Sequence, residues 1–487
     1  MSAPGGTPPA QWNPGKRYPK IGTDFAALVG QIEACGQCRC RSGLAACRTT
    51  ADSVSSTDAK VVVAIRRGLR TGGSRNCAGE STRTPAAMTI ERFIGSPFPD
   101  LRVSEVERKE LINLAEVYVE DYIQKYKDYV LIDRRGVNKR RWQHVKSRDN
   151  LHVYGERSRK ALGRRGTTLE NSLSCTQRMN AVTDEKDLSV LLGVGTVSGE
   201  LEDLMFGVFS PTLDDMRINA SYVQHINDGA VLATVVEPSK DDPFRSLVIK
   251  WMAIDSPLQA SNLVRSRDFV YIEATGIVNL PNGVRVGYRF LHSIDLPQTE
   301  SLPNKIRGNL SVFSCFRQIS RNTIDTFSCA TIDPGRGVIR ALLASVVANF
   351  FLAATNYVYC GQMKKLAWML KHRRGAFLLS GKERHSKKCI VCRKSTRGVM
   401  GSIAGSTCKL CSGSVCYSCK INQRLSFNST CGRLLQRKIV FCGICVSAGT
   451  TMDATEPVSD QANGFDAFTA SSSVCTYIDS SMSSLDG

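Results

Sequence analysis

Four Cys-x-x-Cys pairs lie between residues 389 and 445: Cys389/Cys392, Cys408/Cys411, Cys416/Cys419 and Cys442/Cys445. Each pair offers two thiolates at a bite that suits tetrahedral Zn²⁺, and eight ligands make two sites. In a cross-braced order the first and third pairs hold one ion: Cys389, Cys392, Cys416 and Cys419. The second and fourth then hold the other: Cys408, Cys411, Cys442 and Cys445. Two saturated all-cysteine sites leave no open position for water or substrate, so both zinc ions are expected to be structural. They would supply folding energy to a segment too small and polar to fold alone. Cys431 stands outside the pairs and reads as a spare. "CGQCRC" (35–40) with Cys47 lacks a second well-spaced pair and reads as incidental.

Little else points to catalysis. The six histidines (144, 152, 225, 292, 372 and 385) form no catalytic constellation, and the chain has neither a Gly-rich phosphate loop nor a nucleophile elbow. Glu202 and Asp203 are adjacent, and sequence neighbours on a helix point to different sides, which suits a solvated helix start. No enzymatic turnover of a small molecule is expected.

The 487 residues carry a formal net charge of +20, which favours anionic partners: a phospholipid surface, nucleic acid or an acidic protein. The N-terminus shows no secretory pattern, and cysteine-rich motifs without one suit a reducing compartment, so a cytoplasmic location is expected. The uncharged run Ala341–Cys360 is about long enough to span a bilayer, but its recurring Asn, Ser, Thr and Ala also suit a buried helix.

The elements that must position the cysteines come before them. Residues 1–87 are rich in Gly, Pro, Ser, Thr and Arg and are expected to be a disordered basic extension, with Met88 as a candidate start of the functional chain. Ser104 and Glu107 form a capping box ahead of an amphipathic helix whose apolar stripe runs Leu111, Leu114, Ala115, Tyr118, Tyr122, Tyr126 and Tyr129. "WQHVKSRDNLHVYGER" (142–157) alternates as a strand pair, which puts the basic residues from Arg134 to Arg148 on a solvated face rather than against nucleic acid. Residues 188–330 read as strands broken by turns, with "LPNG" (280–283) as a hairpin and helices at "ELEDLMFGVFS" and "TLDDMRINASYV". One long helix is expected from about Gly337 to His372. After Cys445 the Ser/Thr/Asp-rich chain has no Lys or Arg, and residues 447–487 are expected to be a disordered acidic tail.

The order of "WQHVKSRDNLHVYGER", "GTVSGELEDLMFGVFS", "EPSKDDPFRSLVIKW", "DFVYIEATGIV" and "GYRFLHSIDLP" resembles the START-like lipid-transfer domain, in the divergent form that oomycete proteins pair with a FYVE-type zinc finger. The resemblance covers about Thr89 to Cys445. It implies an α+β helix-grip domain over 88–380, in which an antiparallel sheet and a long C-terminal helix enclose a cavity for one apolar ligand. Trp251, Tyr271, Tyr288 and Phe290 could be core or cavity lining. Over 385–446 it implies a two-zinc cross-brace module.

FYVE and RING modules share the cross-brace. The absence of a ligand histidine and the "SGSV" between Cys411 and Cys416 resemble FYVE. Of the residues that bind phosphatidylinositol 3-phosphate in that family, only Lys409 has a counterpart. Ser406 and Thr407 replace two histidines and Val440 replaces an arginine, so the charge-assisted donors of a phosphate pocket are missing. Lys387 and Lys388 could still attract an anionic membrane, and Val399, Met400 and Ile403 resemble the apolar loop that enters it. The expectation is a non-enzymatic lipid-related adaptor, cytoplasmic and peripheral on endosomal membranes. A RING-like ubiquitin-ligase module, with its protein partner, and a basic nucleic-acid binder are the alternatives.

Overall fold

In the computed structural model, residues 93, 95–157, 189–223, 228–254, 266–333, 340–379, 388–396, 405–429 and 434–462 are described. The expected extension 1–87, Lys387, Val399, Met400, Ile403, Cys431 and residues 463–487 lie outside them.

Helix α1 (Glu105–Leu131) begins at the predicted capping box: the Ser104 hydroxyl accepts from the Glu107 N–H, and the Glu107 carboxylate accepts from the Ser104 N–H at 2.8 Å. Among the described residues, one antiparallel sheet dominates. It is built from β1 (Trp142–Arg148), β2 (Leu151–Glu156), β3 (Ser189–Ser198), β4 (Asp228–Val236), β5 (Ser246–Ile254), β6 (Ser266–Asn279), β7 (Arg285–Ser293), β9 (Asn309–Ser320) and β10 (Thr323–Asp333). Their order is β1-β2-β3-β10-β9-β7-β6-β5-β4, and the short β8 (Lys305–Arg307) pairs parallel to β6. The predicted "LPNG" hairpin joins β6 to β7. Gly283 donates to the Leu280 carbonyl at 2.9 Å and takes φ +75°, a left-handed value that glycine adopts without strain.

Strand alternation sorts side chains to two faces. On β5, Ile249, Trp251 and Ala253 meet α1, while Lys250, Met252 and Ile254 face the other way. The tyrosine stripe of α1 stacks on the first face: Tyr118 on Phe290 at 5.3 Å, Tyr122 on Phe313 at 4.8 Å and Tyr129 on Phe327 at 5.2 Å between ring centres. Trp251 and Phe290 therefore belong to this core, with Tyr288 packed at its border. Of the four aromatic residues in question, Tyr271 alone lines the opposite face.

That opposite face is covered by α2 (Leu201–Val208), α3 (Leu213–Tyr222), α4 (Arg340–Leu352) and α5 (Ala354–Leu379). The single closing helix expected over 337–372 is instead two, broken at Ala353, whose N–H turns back to the Phe350 carbonyl at 3.2 Å. The break lets α4 lie along β1–β3 while α5 crosses α2. Among the described residues no helix is long and apolar enough to cross a membrane. Val347, Ala348, Phe351 and Leu352 of α4 are spent on the protein core.

The crossing of α2 and α5 is close. A Cβ on Gly361 would sit 1.9 Å from the Asp203 carbonyl oxygen, and one on Gly207 would sit 1.8 Å from that of Tyr357. Asp203, expected at a solvated helix start, is buried and ion-paired to the equally buried Lys365 at 2.5 Å. Its neighbour Glu202 is near the surface and pairs with Arg285 at 2.6 Å.

The basic region is also less solvated than expected. Arg135 pairs with the buried Asp325, Arg141 with Glu156 at 2.7 Å, and Lys146 donates to Asn349 at 2.8 Å. The tail departs from expectation too. It opens with α6 (Gly443–Thr451) and α7 (Thr455–Ala462); Ala454, between them, and Val458, on α7, are fully buried in the same core cluster as residues of α2 and α4.

Candidate functional site

Two sites stand out. The first comprises the cysteine clusters, held by short strands β11 (Ser406–Thr407) and β12 (Ser414–Val415) and the hairpin β13 (Lys420–Asn428) and β14 (Leu434–Cys442). Cys389, Cys392, Cys416 and Cys419 gather in one quartet and Cys408, Cys411, Cys442 and Cys445 in the other, all sulfurs of a quartet lying within 4.8 Å. This is the first-with-third, second-with-fourth pairing expected from the sequence. The Cys392–Cys416 and Cys411–Cys442 sulfurs are 3.6 and 3.8 Å apart. Four thiolates about 2.3 Å from a tetrahedral Zn²⁺ stand at nearly this separation, so each quartet can hold a zinc ion.

Both leading knuckles use the same local device. Arg393 and Ser412, each just after the second cysteine of a pair, take left-handed φ of 62° and 55°. Their N–H groups close the turn on Cys389 and Cys408 at 2.9 Å. The Cys442 sulfur accepts from the Cys445 N–H and caps α6. Around the second quartet, hydrogen bonding from the neighbouring Cys411 thiol, then from Cys445, holds the Cys408 thiol far below its usual range. Every ligand position is a protein sulfur, so the arrangement organises a fold and offers no site for a reacting group.

The second site is a cavity of about 140 Å³ between the sheet and α2–α5. Its apolar part is made by Met252, Ile254, Phe269, Leu291 and Leu310 from the sheet and Phe350 from α4. Its polar part is a buried charge cluster on adjacent strands. The Lys250 ammonium donates to the Ser210 carbonyl at 2.6 Å, to the Ser210 hydroxyl at 3.0 Å and to Glu273. Arg289 donates to the other Glu273 oxygen at 2.5 Å and to the Tyr357 hydroxyl at 2.7 Å.

Burial alone would raise the Glu273 carboxyl, but Arg289 and Lys250 hold it below the usual range. Burial likewise pulls Lys250 down, against the pull of Glu273. A pair of serines, Ser314 and Ser328, continues the polar band, joined at 2.8 Å.

α3 forms a wall of this cavity through Met216, Asn219 and Ala220, continued by Val223 at its C-terminus, and is tied to the cysteine module. The Ser221 and Ser426 hydroxyls bond at 2.7 Å, Ser426 N–H donates to the Tyr222 hydroxyl at 2.8 Å, and Asn428 donates to the Asp214 carbonyl at 3.1 Å. α5 joins the same module through Met363, Leu366 and Met369, packed on Leu425, Phe441 and Cys445.

Of the other site residues named from the sequence, Lys388 and Lys409 are exposed, and the Lys409 N–H donates to the Val440 carbonyl at 2.9 Å. The Lys250–Glu273–Arg289 cluster was missed. Its signal was present as charged residues inside strands whose neighbours are apolar ("VIKWM", "YIEAT", "GYRFL"), a position that buries charge only against a partner.

No family model matches the chain, and no curated protein matches it. Among solved structures it is similar to human STARD10, at 11% identity over 51% of this chain and 84% of that one, with a TM-score of 0.32. Human StAR-related lipid transfer protein 5 is 14% identical over 52% of this chain and 95% of its own, also at 0.32. A STAR-related lipid transfer protein fragment from Xanthomonas axonopodis is 12% identical over 45% and 98%, at 0.30. These likenesses are faint, and both sites stand on the geometry of this chain.

Proposed function

We propose that the protein is a non-catalytic binder of a lipid-like amphiphile, coupled to a zinc-organised module that docks on an anionic membrane. The observation that carries the reading is the cavity: a largely apolar space with a charged, hydrogen-bonded patch at one part of its wall. Such a space suits a ligand with an apolar body and one polar head.

The module's charge supports the membrane part. From Arg384 to Met452 the sequence holds twelve Lys and Arg and no Asp or Glu. Val391 and Tyr417, in the two knuckles of the first quartet, are 40% and 82% exposed, and the Lys420 ammonium lies 5.6 Å from the Tyr417 ring centre. An exposed aromatic ring among bases, with no carboxylate to neutralise them, matches the interfacial chemistry of an anionic bilayer. A FYVE-type finger is the family reading most in keeping with the all-cysteine ligands. The missing donors at Ser406, Thr407 and Val440 argue for general anion attraction over a phosphatidylinositol 3-phosphate pocket.

Native mass spectrometry of the full chain tests the cavity: two zinc ions and a small apolar ligand released on denaturation are expected. A chain that carries no ligand and binds no short single-chain amphiphile overturns it. Sedimentation with phosphatidylserine vesicles tests the module. Binding is expected to fall steeply with salt, and equal binding to neutral phosphatidylcholine vesicles removes the charge argument.

A further inference from the structure

The polar part of the cavity wall holds more positive than negative charge, and one of its hydroxyls is unpaired. The Lys250 amino group has three partners, the Ser210 carbonyl, the Ser210 hydroxyl and the Glu273 carboxylate, and the pairing with Glu273 favours its ammonium form. Arg289 is charged at any working pH. Glu273 answers both cations with one negative charge, and the neighbouring Lys364 and Asp215 offset each other. Among the described residues, one positive charge of this buried cluster is therefore left without a counter-charge.

Tyr271 lines the same wall, one residue pair from Glu273, and is 1% exposed. Among the described residues its hydroxyl has no hydrogen-bond partner. That hydroxyl is a donor that no described residue uses, set in the field of both Glu273 and Arg289, and an anionic ligand oxygen would use the donor and answer the extra positive charge of the cluster.

Size restricts the ligand further. A cavity of about 140 Å³ is close to the roughly 150 Å³ apolar cavity that holds one benzene and well below the roughly 300–1,000 Å³ of pockets for larger ligands. A two-chain phospholipid or a sterol exceeds it.

We propose that the cavity takes a single-chain carboxylate, with the carboxylate oxygens accepting from the Tyr271 hydroxyl beside Arg289 and the short tail lying along Met252, Phe269, Leu291 and Phe350. The proposal rests on the amphiphile reading above and specifies its ligand. Tyr271 is the specificity-determining residue because its hydroxyl is the donor that no protein group uses.

Isothermal titration calorimetry on the zinc-loaded full chain tests it with three probes that share one tail: octanoate, octanol and octylamine. Octanoate is expected to bind at least about tenfold tighter than octanol, and octylamine to give no measurable binding. Tyr271→Phe is expected to weaken octanoate roughly tenfold or more, the range of a hydrogen bond to a charged group. Its thermal midpoint without ligand should stay close to that of the parent chain, since the variant removes no hydrogen bond to a described residue. Octanol binding as well as octanoate, or full octanoate affinity in Tyr271→Phe, overturns the carboxylate seat and leaves the apolar cavity standing. Failure of all three probes overturns the seat together with the amphiphile reading.

Discussion

The sheet domain and the cysteine module solve the same problem by opposite means. The sheet buries two apolar layers, one under the tyrosines of α1 and one under α2–α5, and it can afford a charged cluster in the second. The module has a much smaller core, in which Leu425, Ile439 and Phe441 pack on the cysteines themselves and on α5. Where apolar area is scarce, metal–ligand bonds at the two cysteine quartets would supply the difference. Loss of zinc and loss of packing should therefore injure different parts of the chain, except where α3 and α5 join them.

The largest effect is expected from breaking a metal site. Cys408→Ser should cut the zinc content from two ions to one and unfold the hairpin β13–β14, because structural zinc contributes on the order of 10 kcal/mol. In hydrogen exchange, amides 405–442 should lose protection while β5–β7 keep theirs. Amides of α3 should loosen with the hairpin through Ser221 and Tyr222. Loss of protection throughout β5–β7 would show that the two regions fold as one.

Packing in the sheet domain is sharpened next by Gly361→Ala. With 1.9 Å to the Asp203 carbonyl there is no room for a methyl group, and α2 must move off α5 at a cost of about 3 kcal/mol or more, read from the denaturation midpoint. Zinc content should stay at two ions.

His292 gives the sheet domain a pH dependence. It is buried between Tyr118 and Phe290, its Nδ1 has no partner, and burial pushes its pKa down to about 4 from 6.5. Between these values the unfolded chain binds a proton that the folded chain does not, so the stability present above pH 6.5 falls as the pH drops toward 4. The loss should total about 3 kcal/mol. His292→Phe keeps the ring stack and should flatten that part of the stability profile. An unchanged slope between pH 6.5 and 4.5 in urea denaturation would rule the residue out as its source.

The smallest effect concerns the junction. Ser221→Ala removes one hydroxyl pair between α3 and β13 and should cost about 1 kcal/mol. Faster exchange in α3 at unchanged zinc content would place the loss at the contact. If exchange in α3 is unaffected, that hydrogen bond does not couple the two regions.

Local rules accounted for much of this. The Ser104 capping box, the tyrosine stripe, the "LPNG" turn and the alternating strands are written within a few residues of where they act. The cysteine pairing was legible because a Cys-x-x-Cys bite is a local geometry and only the order of pairs remained to choose. The break at Ala353 was not legible, since no Gly or Pro marks it and the helix divides in order to cover two different parts of the sheet and its helices. The two C-terminal helices were not legible because they are short and rich in Gly, Ser and Thr, and it is Leu366, Trp368 and Lys365 of α5 that hold them in place.

By itself, then, the sequence determined the elements, the two sets of four sulfur ligands and an excess of positive charge, all of which depend on residue type and spacing along the chain. Tertiary structure decided what those elements enclose. Lys250, Glu273 and Arg289 are separated by up to 39 positions, yet antiparallel pairing of β5, β6 and β7 sets them side by side with Tyr271. A charge cluster of this kind, and the unpaired hydroxyl beside it, exist only once strand register has brought distant residues onto one buried face.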